Sequence, residues 1–271
     1  MNCRSALCIG LVFMGCAWAA PMPGKTEVSE KLLTFKQGGT VKVLNYNGRI
    51  QVQSWDRDEV KLITTKRIKG ISDFSAAEKL AKWESRVEKG PDLIEVTTIR
   101  PEEKRLHRGV SVQYELWVPK GTELDLKTSN GKIQVEGDAA AVRAASSNGS
   151  IHIGEARGAV KASTSNGSIA IDAARGNIRA ETSNGSIRAK LVEHDGQDLF
   201  LRTSNGSIKL WAAGDLSADV EAHCSNGSVT TDFPVSVSGR MAKNHLKGEI
   251  NGGGAQMVLK TSNGSIHILE H

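Results

Sequence analysis

The sequence predicts an all-β fold: a β-solenoid (a parallel β-helix or roll) with coils of about 18 to 21 residues and one short N-terminal helix as a cap. Three observations predict it: a repeated Ser-Asn-Gly hexapeptide, alternating apolar residues on both sides of each repeat, and a shortage of aromatic residues. Of the 271 residues, 39% are hydrophobic but only 4% are aromatic. We therefore expect a thin core of Ile, Val, Leu and Ala.

Residues 1–19 have the pattern of a secretory signal peptide. An apolar run leads to the small residues Ala17 and Ala19, which predicts cleavage between Ala19 and Ala20. One alternative is an N-terminal membrane anchor that is never removed, and a second is lipid attachment at Cys16, although Phe13 and Met14 fit a lipoprotein signal poorly. All three interpretations predict a secreted or periplasmic protein of the cell envelope.

The region before the repeats, residues 20–123, is predicted to open the fold as part of the same domain. Alternating apolar residues predict two or three strands between 33 and 66, and further strands at 93–99 and 110–118. Helical spacing replaces this alternation at about 72–88 and stops at a Gly-Pro pair. We expect one amphipathic helix there, which covers the first strands as an end cap.

Residues 124–271 contain seven closely similar copies of the hexapeptide Thr-Ser-Asn-Gly-Ser-Ile. Its asparagines form the predicted structural ladder, at Asn130, Asn148, Asn166, Asn184, Asn205, Asn226 and Asn263. The successive spacings are 18, 18, 18, 21, 21 and 37 residues, which indicates a structural repeat. Apolar residues alternate with variable ones on both sides, as at Ile151 and Ile153, which predicts strands with one buried face.

Two architectures fit this repeat. Asn-Gly is a strong hairpin signal, so an antiparallel meander is one interpretation. In the other, each repeat forms one coil of a parallel solenoid, and equivalent residues stack about 4.8 Å apart. We favour stacking because amides and hydroxyls can then form ladders, which explains why the whole hexapeptide recurs. Stacking predicts that Asn184→Ala in a middle coil costs more stability than Asn263→Ala at the end.

Cysteine use excludes an internal disulfide after signal cleavage, because Cys224 is then the single cysteine left. Cys224 replaces the Thr that opens the hexapeptide in other copies. This position shares the phase of the buried residues, so we expect Cys224 to pack as a small apolar side chain rather than to react.

These motifs resemble the bacterial putative-adhesin family of β-strand-repeat domains, a family of unknown function. The resemblance runs from Phe35 to the end. It rests on Asn47-Gly48-Arg49-Ile50, the turn Val118-Pro119-Lys120-Gly121, the Ser-Asn-Gly coils and Asp232-Phe233-Pro234-Val235. It implies a roll-like β-solenoid outside the cytoplasm, and it brings no catalytic residues.

The sequence contains no recognisable catalytic, metal-binding or phosphate-binding motif. We predict no enzyme activity, no cofactor and no metal site. Nucleic-acid binding is also not expected, because residues 128–271 carry 14 basic and 14 acidic side chains. A carbohydrate-active parallel β-helix enzyme is the alternative, with Glu181 and Glu221 as the carboxylates to test.

The expected function is that of an exported, non-catalytic, adhesin-like surface or envelope module with a structural or binding role. Its partner would be an envelope polymer or protein, bound along a flat outer face.

Residues 233–254 are interpreted as a long loop against the last coils, and Met257–Leu269 as the final coil. Self-association through an open C-terminal edge near Ile266–Leu269 is a further expectation. The basic loop Pro101–Gly109 is interpreted as solvated, with binding to anionic polymers or lipid headgroups as the alternative.

Overall fold

Strands form nearly all the regular structure of the computed structural model, which describes residues 24–69, 73–192, 196, 198–237 and 242–271. The predicted signal peptide, its cleavage site and Cys16 lie outside these residues. Within them, the helical segments are α1 (Asp73–Ala81) and a short 3-10 turn at Lys104–Leu106. The strands are β1 (Gly24–Thr34), β2 (Thr40–Leu44), β3 (Ile50–Trp55), β4 (Glu59–Lys69), β5 (Glu84–Lys89), β6 (Leu93–Ile99), β7 (Val110–Pro119), β8 (Thr122–Asn130), β9 (Ile133–Asn148), β10 (Ile151–Ala156), β11 (Val160–Asn166), β12 (Ile169–Ala174), β13 (Ile178–Asn184), β14 (Ile187–Leu191), β15 (Leu199–Asn205), β16 (Ile208–Ala212), β17 (Ala218–Asn226), β18 (Val229–Thr231), β19 (Val235–Val237), β20 (His245–Ile250), β21 (Ala255–Asn263) and β22 (Ile266–Glu270).

Each repeat forms one coil, made of two strands that meet at the Asn-Gly corner. β11 and β12 make one such coil, and β13 and β14 make the next. The two coils are parallel, with Val160 opposite Ile178 in one pair of strands and Ile169 opposite Ile187 in the other. This parallel register confirms the predicted β-solenoid and excludes the antiparallel meander.

Stacked coils build two columns of strands around one core. The first column contains the strands after each corner, in the spatial order β1, β4, β7, β3, the first half of β9, β10, β12, β14, β16, β22 and β18. The second column contains the strands before each corner, in the order β5, β6, β2, β8, the second half of β9, β11, β13, β15, β21, β17, β20 and β19. Alternate residues of both columns form a single buried cluster dominated by Ile, Val, Leu and Ala, as the low aromatic content predicts.

The spatial order of the coils departs from their order in the chain at both ends. At the C-terminal end, β21 lies between β15 and β17, and β22 lies between β16 and β18. The predictions that Met257–Leu269 ends the stack and that Ile266–Leu269 forms an open edge are therefore wrong. At the N-terminal end, β2 likewise lies between the later strands β6 and β8, and β3 lies between β7 and β9.

The segment predicted as a long loop, residues 233–254, explains the change of order at the C-terminal end. It contains β19 and β20, and β20 pairs antiparallel with β17 on the side away from β21. Gly252, Gly253 and Gly254 all have positive φ angles, which suits a tight return of the chain from β20 into the gap between β15 and β17. The segment is thus an end cap built from strands.

The predicted helix at about 72–88 is half as long as expected. α1 ends at Ala81, and residues 84–89 form β5, which pairs antiparallel with β6. The turn at Gly90-Pro91 therefore joins two strands of a hairpin instead of terminating a helix. Ala76 and Leu80 are buried where α1 packs against β1 and β4, so the helix does cover the first strands.

A buried polar network holds the N-terminal coils together. The Tyr114 hydroxyl lies 2.7 Å from Thr98 Oγ1 and donates to Ser85 Oγ at 3.1 Å. Thr98 in turn donates to Asn45 Oδ1 at 2.9 Å, and Asn45 Nδ2 donates to the Val112 carbonyl at 2.7 Å. Burial raises the pKa of Tyr114, so this hydroxyl stays protonated as a donor.

Candidate functional site

The inner side of the Asn-Gly corner is fixed by hydroxyl groups that bond to the neighbouring coil. Thr164 Oγ1 donates to the Gly149 carbonyl at 2.9 Å, and Thr182 Oγ1 donates to the Gly167 carbonyl at 2.9 Å. The same bond to a corner glycine is made by Thr128, Ser146, Thr203 and Thr261. These hydroxyls satisfy glycine carbonyls in an otherwise apolar core, which explains the Thr or Ser that opens the hexapeptide.

The seven predicted ladder asparagines lie in one continuous column on the outer side of the corner. Each Nδ2 donates to the Oδ1 of the preceding member at 2.8–2.9 Å, in the order Asn130, Asn148, Asn166, Asn184, Asn205, Asn263 and Asn226. All seven side chains are exposed to solvent. Asn263 occupies an internal place between Asn205 and Asn226, so the expectation that it ends the ladder is wrong. The ladder is a solvated stripe that uses one N–H and the oxygen of each internal amide.

The glycine of the hexapeptide is required by the close approach of neighbouring backbones. A Cβ atom at Gly167 would lie 2.3 Å from the Gly149 carbonyl oxygen, and one at Gly185 would lie 2.1 Å from that of Gly167. Both distances are far below van der Waals contact. Any side chain here would push the coils apart, so the glycine and the Thr hydroxyl bond depend on the same tight stacking.

Cys224 lies fully buried in the column of corner hydroxyls, as its sequence position predicts. Burial raises the pKa of its thiol, which keeps it protonated and unreactive at neutral pH. Among the described residues, the Cys224 thiol makes no hydrogen bond like that of the Thr182 hydroxyl. Apolar packing replaces the hydroxyl bond at this corner.

The outer face of the second column carries a row of three basic side chains, which we call the cation row: Arg143, Lys161 and Arg179. Lys161 lies directly opposite Arg143 on one side and Arg179 on the other, so three consecutive coils present a cation at the same position. All three are exposed. The neighbouring position along each strand is small, at Ala141 and Ala159, and this leaves a groove of about 370 Å³ beside the row.

The three cations differ in their partners. Arg179 Nε donates to Glu181 Oε1 at 2.6 Å, and its guanidinium lies 4.5 Å from the ring centre of Phe200. Among the described residues, no carboxylate lies within ion-pairing distance of Arg143 or Lys161. Asp125 lies directly opposite Arg143 on the other side, so the row ends at a carboxylate. Like charges that face each other across a ladder are destabilising, and Lys161, which has a cation on both sides, is where this repulsion is greatest.

A second groove, of about 360 Å³, lies on the other side of the cation row, next to the asparagine ladder. It is lined by Glu181, Arg202 and seven Ser or Thr residues, of which Ser146, Thr164 and Thr182 are the buried ones whose hydroxyls bond to corner glycines. The cation row thus lies between two grooves, the first of which also carries the carboxylates of Glu123 and Asp125.

The two carboxylates considered for catalysis are both held in ion pairs. Glu181 bonds to Arg179, and Glu221 lies 2.7 Å from Lys260 Nζ. The hydrogen bond from Lys260 lowers the pKa of Glu221, which keeps it ionised. A glycosidase acid needs the opposite, a carboxyl whose pKa is raised so that it can donate a proton.

The histidines that share a repeat position do not converge. His152 lies 3.3 Å from Asp172, and His267 Nδ1 lies 2.8 Å from Thr230 Oγ1 in a different part of the stack. A pair that sequence reasoning missed, His223 and His245, is brought together by the antiparallel β17–β20 pairing, with ring centres 5.7 Å apart. Across the described ranges, no group of three or more His, Cys, Asp or Glu residues is arranged to hold a metal ion.

The basic loop between β6 and β7 is tied to the helical end of the fold. His107 Nε2 lies 2.7 Å from the Pro101 carbonyl, and its ring packs edge-on against Trp83 with centres 5.7 Å apart. Lys79 of α1 donates to the Arg108 carbonyl at 2.8 Å. These contacts hold the loop against the cap, and most of residues 101–109 are exposed.

Solved structures similar to this chain include two bacterial proteins. One is a putative cell adhesion protein from Clostridium sporogenes, with 10% identity, 90% of this chain and 100% of that chain covered, and a TM-score of 0.36. The other is a putative adhesin from Bacteroides fragilis, with 10% identity, 90% and 97% of the two chains covered, and a TM-score of 0.45. No curated protein matches the sequence.

The solenoid is the part of the chain that matches a known protein family. Toastrack DUF4097 matches residues 120–269, which is more than half of the sequence and includes all seven corners. No helix in the described residues is long and apolar enough to cross a membrane. The match confirms the resemblance inferred from the repeats, and the chain belongs to the Toastrack DUF4097 family.

Proposed function

We propose that this chain is an exported, non-catalytic, adhesin-like module of the cell envelope that binds an acidic polymer along the outer face of its second column. The cation row is the observation that carries this proposal. Lys161 lies between Arg143 and Arg179, while Arg143 has Asp125 as its neighbour on the other side, so an acidic group of a ligand would relieve like-charge repulsion chiefly at Lys161.

The geometry of the row favours an extended ligand. Its charges recur once per coil, about 4.8 Å apart along the stack, and the groove beside it follows the same direction. A polymer that carries regularly spaced carboxylates can therefore place several of them against successive coils. Ala141 and Ala159 supply the room for its backbone.

Binding is tested with the mature chain, residues 20–271, against a panel of acidic and neutral envelope polysaccharides by calorimetry. We expect binding to acidic glycans that weakens as salt rises, because exposed charges are screened. Reversing two charges, with Arg143→Glu and Lys161→Glu together, should weaken it at least tenfold. The matched control is Arg188→Glu with Lys209→Glu, a second pair of facing exposed cations in the first column, whose next neighbours along the stack are Ala170 and His267 instead of a third Lys or Arg.

The two pairs change the net charge equally, so their comparison separates a site from general charge. If both double variants lose binding to the same extent, or if no acidic polymer binds, the cation row has no such role. Binding to neutral glycans but not to acidic ones would also contradict the proposal.

Export is tested separately by cell fractionation and by mass measurement of the processed protein. The proposal expects a chain that begins at Ala20 in the envelope or the medium. A lipid-modified N-terminus at Cys16 would instead establish the lipoprotein alternative, and an unprocessed chain in the cytoplasm would contradict export.

The absence of catalysis is tested by product analysis after incubation with the same glycans. We expect no turnover, because Glu181 and Glu221 are both held in ion pairs, with Arg179 and Lys260. Turnover that disappears in Glu181→Gln or Glu221→Gln would establish the enzyme alternative.

A further inference from the structure

We propose that two copies of this chain pair antiparallel through β1, with Ser29 of one copy opposite Ser29 of the other. The inference is independent of polymer binding, because β1 lies at the N-terminal end of the first column, away from the cation row. Its basis is an open strand edge whose charges match a second copy of the same strand.

β1 is the longest strand with an open edge in the described part of the chain. Its 11 residues pair with β4 alone, whereas the other terminal strands are shorter: β5 has 6 residues, and β18 and β19 have 3 each. An open edge presents unpaired N–H and C=O groups that can pair with another strand. The C-terminal end offers only the two short strands, so the N-terminal end is where pairing between chains can be extensive.

The outer face of β1 is also unusually apolar for an edge. Val28 is 66% exposed and Leu32 is 56% exposed, and both lie on the same face as Ile63 of β4 and Trp117 of β7. In a pair centred on Ser29, Val28 lies directly opposite Glu30 of the other copy, and Leu32 lies opposite Thr26 and diagonal to Val28, a distance that a long side chain can reach. Pairing would therefore partly cover both exposed apolar residues.

Charge selects this register over its neighbours. A two-fold pairing can centre on any of residues 27 to 31. Centres at 27, 30 and 31 place Glu27, Glu30 or Lys31 opposite itself, and a centre at 28 places Lys25 opposite Lys31. A centre at Ser29 places Glu27 opposite Lys31 twice and opposes no like charges. Cross-strand pairs of opposite charge stabilise a sheet, and like charges directly opposite destabilise it.

The test uses the mature chain and measures its mass by light scattering and sedimentation over a range of concentrations. The wild type should dimerise. Glu27→Lys alone and Lys31→Glu alone each create two like-charge contacts, so each should raise the dissociation constant by about tenfold or more, which corresponds to about 1.4 kcal/mol. The double variant Glu27→Lys/Lys31→Glu should dimerise like the wild type, because it exchanges the two charges.

A mixture of the two single variants gives the sharpest outcome. Each copy then offers the charge that the other lacks, so the mixture should form heterodimers that neither variant forms alone. Glu88→Lys and Lys89→Glu in β5, the other open edge at this end, are the matched controls and should leave dimerisation unchanged. Thermal melting of each variant checks that it is folded.

A wild type that remains monomeric at every concentration would overturn the proposal. So would single variants that dimerise normally, or a mixture that does not restore pairing, because both results would mean that Glu27 and Lys31 do not face each other.

Discussion

Gly167→Ala tests whether the coils are stacked as tightly as the corner geometry indicates. The new Cβ would lie 2.3 Å from the Gly149 carbonyl oxygen and 2.9 Å from the Ser150 nitrogen, whereas ordinary contact begins at 3.4 Å. The coils would have to separate by about 1 Å, yet the Gly149 and Gly167 N–H groups both hold ladder bonds of 3.0 Å. Because the obstructing atoms are backbone, we expect a loss near the upper end for overpacking, about 3 kcal/mol.

The effect should be measured as a change in melting temperature and in denaturant midpoint. In a protein of this size, 1 kcal/mol shifts the melting temperature by about 2–4 °C, so Gly167→Ala should melt roughly 6–12 °C lower. Gly90→Ala is the control, since its nearest neighbouring atom is the Leu93 carbonyl oxygen at 3.6 Å, and it should change stability by less than about 1 kcal/mol. If the two variants melt together, the close approach of the corners is refuted.

Three further predictions follow from the corner and from the outer face. Asn263→Ala should cost as much as any internal ladder variant, on the order of 1 kcal/mol, and more than Asn226→Ala, because Asn226 makes one ladder bond instead of two; a smaller melting shift for Asn263→Ala than for Asn226→Ala would contradict the observed order. Cys224 should resist thiol reagents in the native protein and react quickly in denaturant, and fast native labelling would show that the thiol is accessible. Glu221→Gln should lower stability at neutral pH by up to about 1 kcal/mol. The lowered pKa of Glu221 gives stability that is present above its unfolded pKa and is lost as pH falls through the folded pKa, so the difference should vanish in acid, and a difference that is constant with pH would refute the role of Lys260.

The coil and its register were predictable because three residues of the repeat each make a contact that requires stacked coils. A ladder of amides, a glycine without room for a Cβ and a hydroxyl aimed at the next carbonyl each require the same residue at the same place in every coil. Together they distinguish a solenoid from a hairpin, which uses Asn-Gly only for its backbone shape.

The order of the coils was not predictable from the same motif. Every corner presents the same Ser-Asn-Gly surface, so Asn205 can stack equally well against Asn226 or Asn263. The choice is made by β20, which occupies the far side of β17 and leaves a gap on the near side for β21. The sequence of β20, with Gly248 inside the strand, gives a weak strand signal, so the sequence alone indicates a loop there.

The predicted C-terminal end of the helix was wrong for a related reason. Val87 and Glu84 fit both a helical face and a strand, and local spacing does not separate the two. The deciding contact is non-local, because residues 84–89 pair with 94–99 across the turn at Gly90-Pro91. The cation row was missed because it alternates with apolar residues in each strand and becomes a surface only once the coils are stacked.

The interleaving of β21 and β22 between earlier strands has a consequence for biosynthesis. Residues 218–231 have no parallel neighbour until residues 255–270 have been made, because those residues fill the gap between them and β15 and β16. A chain that stops before Met257 would leave two facing strand edges unsatisfied and open to proteases. The solenoid therefore closes only after residues 255–270 have been made, later than the strands on both sides of them.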